Sequence, residues 1–201
     1  MSKRPGTNPR ALLVTACTLA LVAACGGGGG RGGEASAPAS PNATAPAVTP
    51  TSTAGSTCGV PDFAATALAR INLLRVAGAN CRRGGNFASA AALSWSPLLT
   101  QAAEGHSQDM VAKNFFSHTG SAGSSLADRV DATAYAWSSL GENIAAGYSG
   151  IDKVMDNWIA SDGHCANLMN PAFDQVGLVC VPGSAATSYS TYWTMKLARS
   201  R

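Results

Sequence analysis

Three histidines and one isolated glutamate carry most of the chemistry available to this sequence. His106, His118 and His164 are its only histidines, and Glu142 is its only glutamate after Glu104. His118 lies in Phe115-Phe116-Ser117-His118-Thr119-Gly120 and His164 in Ser161-Asp162-Gly163-His164. Both are polar, turn-like settings in which a ring can face solvent or a ligand. Glu142, in Gly141-Glu142-Asn143 ahead of an apolar run, reads as a capping or site residue. Imidazoles and a carboxylate are the groups that general acid–base chemistry and catalytic zinc sites use. Spacing alone does not bring these three together. His106 falls on the apolar face of a helix and reads as a packing residue. The sequence has no H-E-x-x-H, no G-x-S-x-G and no P-loop.

The elements that must position these side chains follow from periodicity and caps. Asp62 is placed to cap a helix with Ala64, Ala67, Leu68, Ile71 and Leu74 on one face, together with the stem of Arg75. Ser96-Pro97 is a start signal, serine at the N-cap and proline at the first helical position, for a helix running from Leu98 to about Asn114. A third helix is expected over Ile151 to Ile159, with Val154, Met155 and Trp158 inward, and a short helical turn over His164 to Met169. Gln175 to Val181 and Tyr189 to Leu197 read as an antiparallel hairpin, with a further strand over Asn143 to Tyr148. Helices first and strands later indicate an α+β fold.

The chain has 201 residues, and all 13 aromatic residues fall after position 62. Three parts are expected. Residues 1–25 read as an export signal: Lys3, Arg4 and Arg10, then an apolar run from Ala11 to Ala24 too short to span a bilayer. Val22-Ala23-Ala24-Cys25 resembles a bacterial lipobox, which implies cleavage before Cys25 and lipidation of its thiol. Residues 26–57 are rich in Gly, Ala, Ser, Thr and Pro, with Arg31 and Glu34 their only charges. Such a segment buries too little apolar area to offset its ordering entropy, and reads as a disordered tether. Residues 58–201 are the packable domain. That domain holds ten Lys/Arg and ten Asp/Glu, so it lacks the basic face of a nucleic-acid binder. Cys58, Cys81, Cys165 and Cys180 are an even set in an exported chain. Of three possible pairings, the local one is expected, Cys58–Cys81 and Cys165–Cys180. No C-x-x-C pair supports a zinc–thiolate cluster.

Seven segments in order resemble the CAP superfamily (cysteine-rich secretory, antigen 5 and pathogenesis-related 1 proteins) in its bacterial SCP-like form. They are Ile71-Asn72-x-x-Arg75, Leu93-x-Trp95-x-x-x-Leu99, His106-Ser107-x-x-Met110, Phe116-Ser117-His118, Gly141-Glu142-Asn143-Ile144-Ala145-x-Gly147, Trp158-x-x-Ser161-x-Gly163-His164-x-x-Asn167-Leu168-Met169 and Val176-Gly177. The resemblance covers about residues 60–197.

It implies an α-β-α sandwich, with a central antiparallel sheet between helical layers, and a cleft lined by two histidines and two acidic residues. His118, Glu142 and His164 match three of the four. The fourth position is Ser161, with Asp162 beside it as a substitute only if its loop turns inward. The expected ligand set for a divalent metal such as zinc is therefore His118, His164 and Glu142. The expected function is that of an exported, lipid-anchored binding module for a lipid, cell-wall or protein ligand, monomeric, at a bacterial outer membrane or cell surface, or else secreted or periplasmic. The alternative is a metal-assisted hydrolase or peptidase with Glu142 as its candidate catalytic residue.

Overall fold

The computed structural model describes residues 55–201. The expected signal, Cys25 and residues 26–54 of the expected tether lie outside the described residues. Helix α1 spans Phe63–Ala77, followed by a two-residue ribbon, β1 Ala79–Asn80 and β2 Asn86–Phe87, around a 3-10 turn at Arg82–Gly84. Strand β3 (Ser94–Trp95) leads into α2 (Pro97–Lys113), then α3 (Leu126–Asp131), β4 (Trp137–Ala146), α4 (Ile151–Ala160), α5 (Asp162–Met169) and the hairpin of β5 (Gln175–Pro182) and β6 (Thr191–Ser200).

The main sheet has the order β3-β5-β6-β4. Its three long strands are antiparallel, as expected, whereas β3 joins β5 in parallel through Ser94↔Gln175 and Trp95↔Val176. Side chains alternate across it. Val176, Leu178 and Cys180 of β5, with Trp193, Met195 and Leu197 of β6, pack against Ile71, Val154, Met155, Trp158 and Leu168 of α1, α4 and α5. On the opposite face, Leu99 and Ala102 of α2 meet Val130 and Ala198, and Met110 meets Ile144 and Tyr192. The sheet is thus enclosed between two helical layers. Gly177 lets α2 approach closely: a Cβ there would lie 2.2 Å from the Thr100 amide nitrogen.

Local signals account for most boundaries. Ser96 Oγ accepts from the Leu99 amide, capping α2 behind Pro97. Asp62 does not cap α1 with its side chain. It sits in the left-handed region (φ 45°), and instead its carbonyl accepts from the Thr66 amide at 2.9 Å. Arg75 packs more than its stem. The whole side chain is buried, and it donates to the carbonyls of Ala91 (2.8 Å), Leu168 (2.7 Å) and Asn170 (3.1 Å), which ties α1 to the end of α5.

The expected disulfide pairing is corrected. The bridges are Cys58–Cys180 and Cys81–Cys165, with Cα separations of 5.4 and 5.5 Å. Short loops favour local closure, but layer membership decides. Cys165 faces Cys81 and Met169 on the outer side of α5, while Cys180 points into the main core near the chain's entry. That entry is itself paired: Cys180 N–H donates to Ser56 O at 2.8 Å, and Thr57 bridges Cys180. Ser56 and Thr57, expected in the tether, therefore belong to the sheet's outer edge. Among the described residues no helix is long and apolar enough to cross a membrane.

Candidate functional site

Glu142 lies in β4 directly opposite Lys196 of β6. Alternation turns both side chains toward α2, so a carboxylate and an ammonium are buried together. The Glu142 carboxylate is 3% exposed. One oxygen, Oε2, accepts from Lys196 Nζ and from Arg129 Nη2 at 2.9 Å. The other, Oε1, accepts from His118 Nδ1 at 2.6 Å. His106 Nε2, on α2, stands 4.0 Å away.

Burial alone would raise the Glu142 carboxyl. The Lys196 charge, followed by the hydrogen bonds from Lys196 and His118, outweighs it and leaves the carboxyl at about 2. Burial pulls Lys196 down to about 8, with Glu142 opposing, so at neutral pH the pair is ionised on both sides. Burial also takes His106 down to about 4, against the pull of Glu142. That ring is neutral at pH 7, with Nε2 at 2.9 Å from the Ser117 carbonyl.

The histidines take different parts. His118 donates from Nδ1 to Glu142, which fixes its tautomer and leaves the Nε2 lone pair on a side chain that is 58% exposed. His164, at the start of α5, is half-buried. Burial lowers its imidazole, and the His118 charge acts in the same direction. Its Nδ1 is buried without a partner. The backbone carrying it is pinned to β4: Asn143 Nδ2 donates to the His164 carbonyl, and Asn167 Nδ2 donates to the Glu142 carbonyl and to Asn143 Oδ1.

The fourth acidic position does not join this group. Asp162 is drawn to Arg83 (3.0 Å) and Arg82 (3.7 Å), which hold its carboxyl below the usual range. Ser161 joins α4 to α5 without a side-chain capping bond. Among the described residues no three His, Cys, Asp or Glu side chains are grouped to hold a metal. Glu142 does not fit as an inner ligand, because three donors already occupy its oxygens. Glu142 instead orients His118 from behind.

Sequence spacing misses Lys196 and Arg129, the two cations bonded to Glu142. The signal for Lys196 is its position on an otherwise apolar strand, between Met195 and Leu197. For Arg129 it is Ser125-x-x-Asp128, a capping box that opens α3 and presents the arginine in its last turn.

The model of the cysteine-rich secretory protein family, CAP, matches residues 68–197, more than half of the chain. The chain belongs to the CAP family. Its CAP domain is similar to two proteins of Bacillus subtilis strain 168. It is 34% identical over 88 residues to the uncharacterized membrane protein YlbC, which covers 44% of this chain and 25% of YlbC. It is 35% identical over 80 residues to the uncharacterized protein YkwD, covering 40% of this chain and 31% of YkwD. The matched part thus spans a third or less of either relative. Among solved structures, an extracellular SCP-domain protein of Bacillus anthracis superposes with a TM-score of 0.53 at 27% identity, over 67% of this chain and 39% of that one. An outer surface protein of Borrelia burgdorferi superposes with a TM-score of 0.56 at 16% identity, over 68% of this chain and 92% of that one, a likeness of fold.

Proposed function

We propose that this CAP protein is an exported, lipid-anchored envelope protein whose domain is a monomeric binding module for a lipid, cell-wall or protein ligand. The observation that carries the binding reading is the state of Glu142. A general base needs a free lone pair and a pKa near the working pH. Glu142 lacks the second, with its carboxyl at about 2, and most of its lone pairs already accept from Lys196, Arg129 and His118. The group left free to meet a ligand is His118 Nε2. Export is supported by the two disulfides, which form in oxidising compartments, and by the B. anthracis relative's description as extracellular. Anchoring rests on the lipobox at Cys25.

A divalent metal such as zinc would be held by His118 and His164, supplying a Lewis-acidic contact for a ligand oxygen. Calorimetry with zinc at neutral pH tests this. Weak binding is expected, abolished in the His118→Ala/His164→Ala double variant and retained in Lys196→Arg. Equal heats from the native and double-variant proteins would remove the metal. Hydrolysis of a peptide or ester lost specifically in Glu142→Gln, with folding intact, would replace the binding reading by the enzymatic one.

A further inference from the structure

A cavity of about 550 Å3 opens on the other side of the Glu142 cluster, between α2, the segment around Ser121–Ser124 and α3. Its volume is in the range of small-ligand sites. His106 and Arg129 line it, and each carries a buried polar atom without a partner, His106 Nδ1 and Arg129 Nε. Their characters are opposite. A carbonyl only accepts, so His106 Nε2–H donates to Ser117 O, and in this neutral ring Nδ1 is left as an acceptor. Arg129 Nε–H is a donor without an acceptor, while the Nη groups bond to Glu142, the His118 carbonyl and the Ser124 carbonyl. A hydroxyl, which donates and accepts, is a group that can meet either need.

The rest of the lining points the same way. Gln101, Gln108, Ser124 and Thr133 add neutral donors and acceptors. The two lining carboxylates are engaged within the protein. Glu104 accepts from Gln108 and Ser56, and Asp109 from the Ser121 amide and hydroxyl. The one lining cation, Arg129, is held inside the protein by the Glu142 carboxylate, which it shares with Lys196. Gly105 exposes bare helix backbone to the space, with nothing within 4 Å of where its Cβ would stand. Such a cavity favours an uncharged ligand rich in hydroxyls, with flat C–H faces that can lie on Gly105, Ala102 and Ala132.

We propose that this cavity binds a neutral saccharide of one or two rings, at a site separate from the His118/His164 cleft. This deepens the binding-module reading, on which it rests, by naming a ligand class and a second location. The probe is the disaccharide N,N′-diacetylchitobiose, followed by saturation-transfer NMR on the purified full chain. Transfer to the sugar protons is expected, and it should survive His118→Ala. Gly105→Phe fills the cavity from a helical position with open space above it, and should abolish the transfer while the thermal midpoint holds. If that variant unfolds, Gln101→Ala/Gln108→Ala, on exposed positions, should weaken binding about tenfold. No transfer to the native chain overturns the proposal and leaves the cleft reading standing. Transfer that persists in the cavity variants overturns it, and transfer lost only in His118→Ala moves the sugar to the cleft.

Discussion

Glu142 and Lys196 face each other as directly paired residues of β4 and β6, and their side chains form an ion pair shut between the sheet and α2. Neither charge could be buried there alone. The pair holds Glu142 as a fixed anion that orients His118.

Removing one partner of such a pair leaves a buried charge unpaired, which costs about 3–5 kcal/mol. Lys196→Met should therefore destabilise the domain by roughly that amount, less what Arg129 recovers. Denaturant unfolding reads it directly. A loss below about 1 kcal/mol, the level of a surface pair, would show that Arg129 alone holds Glu142.

Acid should unfold the protein in two stages. His106 sits at about 4 in the fold against an ordinary 6.5, so its contribution is complete above pH 6.5 and is lost as pH falls toward 4. Glu142 sits at about 2 against an ordinary 4.5, so its contribution is complete above pH 4.5 and is lost toward pH 2. His106→Leu should flatten the upper stage and leave the lower one. Thermal midpoints between pH 7 and 3 give the comparison, and an unchanged slope between pH 6.5 and 4.5 would exclude His106 as its source.

Non-reducing peptide mapping should recover Cys58 joined to Cys180 and Cys81 joined to Cys165. The bridges close sequence separations of 122 and 84 residues. Loops of this length are worth about 4–5 kcal/mol each in the chain-entropy model. Cys81→Ser/Cys165→Ser should lower unfolding free energy by up to that amount. Recovery of a Cys165–Cys180 peptide would contradict the layering that separates the two residues.

Gly177→Ala should force α2 away from the sheet, since the new Cβ would meet the Thr100 amide nitrogen at 2.2 Å. Overpacking of this kind costs about 1–3 kcal/mol. Gly163→Ala, in α5 with no atom within 4 Å of its Cβ position, is the matched control and should be neutral or slightly stabilising. Equal unfolding midpoints for the two variants would mean that α2 shifts at no cost.

The long elements were legible because their signals are local. Ser96-Pro97 marks α2, the 3-4 spacing from Ala64 to Leu74 marks α1, and alternation marks the β5–β6 hairpin. The two-residue strand β3 was not legible, because its pairing to β5 is a tertiary contact. His118 and Glu142 were legible through the family pattern, and their hydrogen bond was a matter of geometry alone. The site's cations were hidden for a related reason. Lys196 acquires its role by standing across the ladder from Glu142, 54 residues earlier, a relation that no local window contains. The disulfides failed for the same cause: loop length is written in the sequence, and layer membership is not.

The bridge from Cys58 to Cys180 also fixes how the domain would bear a load. Ser56 and Thr57 pair with β5 beside Cys180, and the disulfide then bonds the chain's entry covalently to that strand. Pulling on the chain upstream of Ser56 delivers tension straight into β5 at the middle of the fold. The helices threaded between residues 58 and 180 are bypassed, and they cannot be peeled away one by one from the amino-terminal side. A protein held at one end and tugged by its ligand at the other would keep its cleft in shape under strain, with a sulfur–sulfur bond as the first link of the force path.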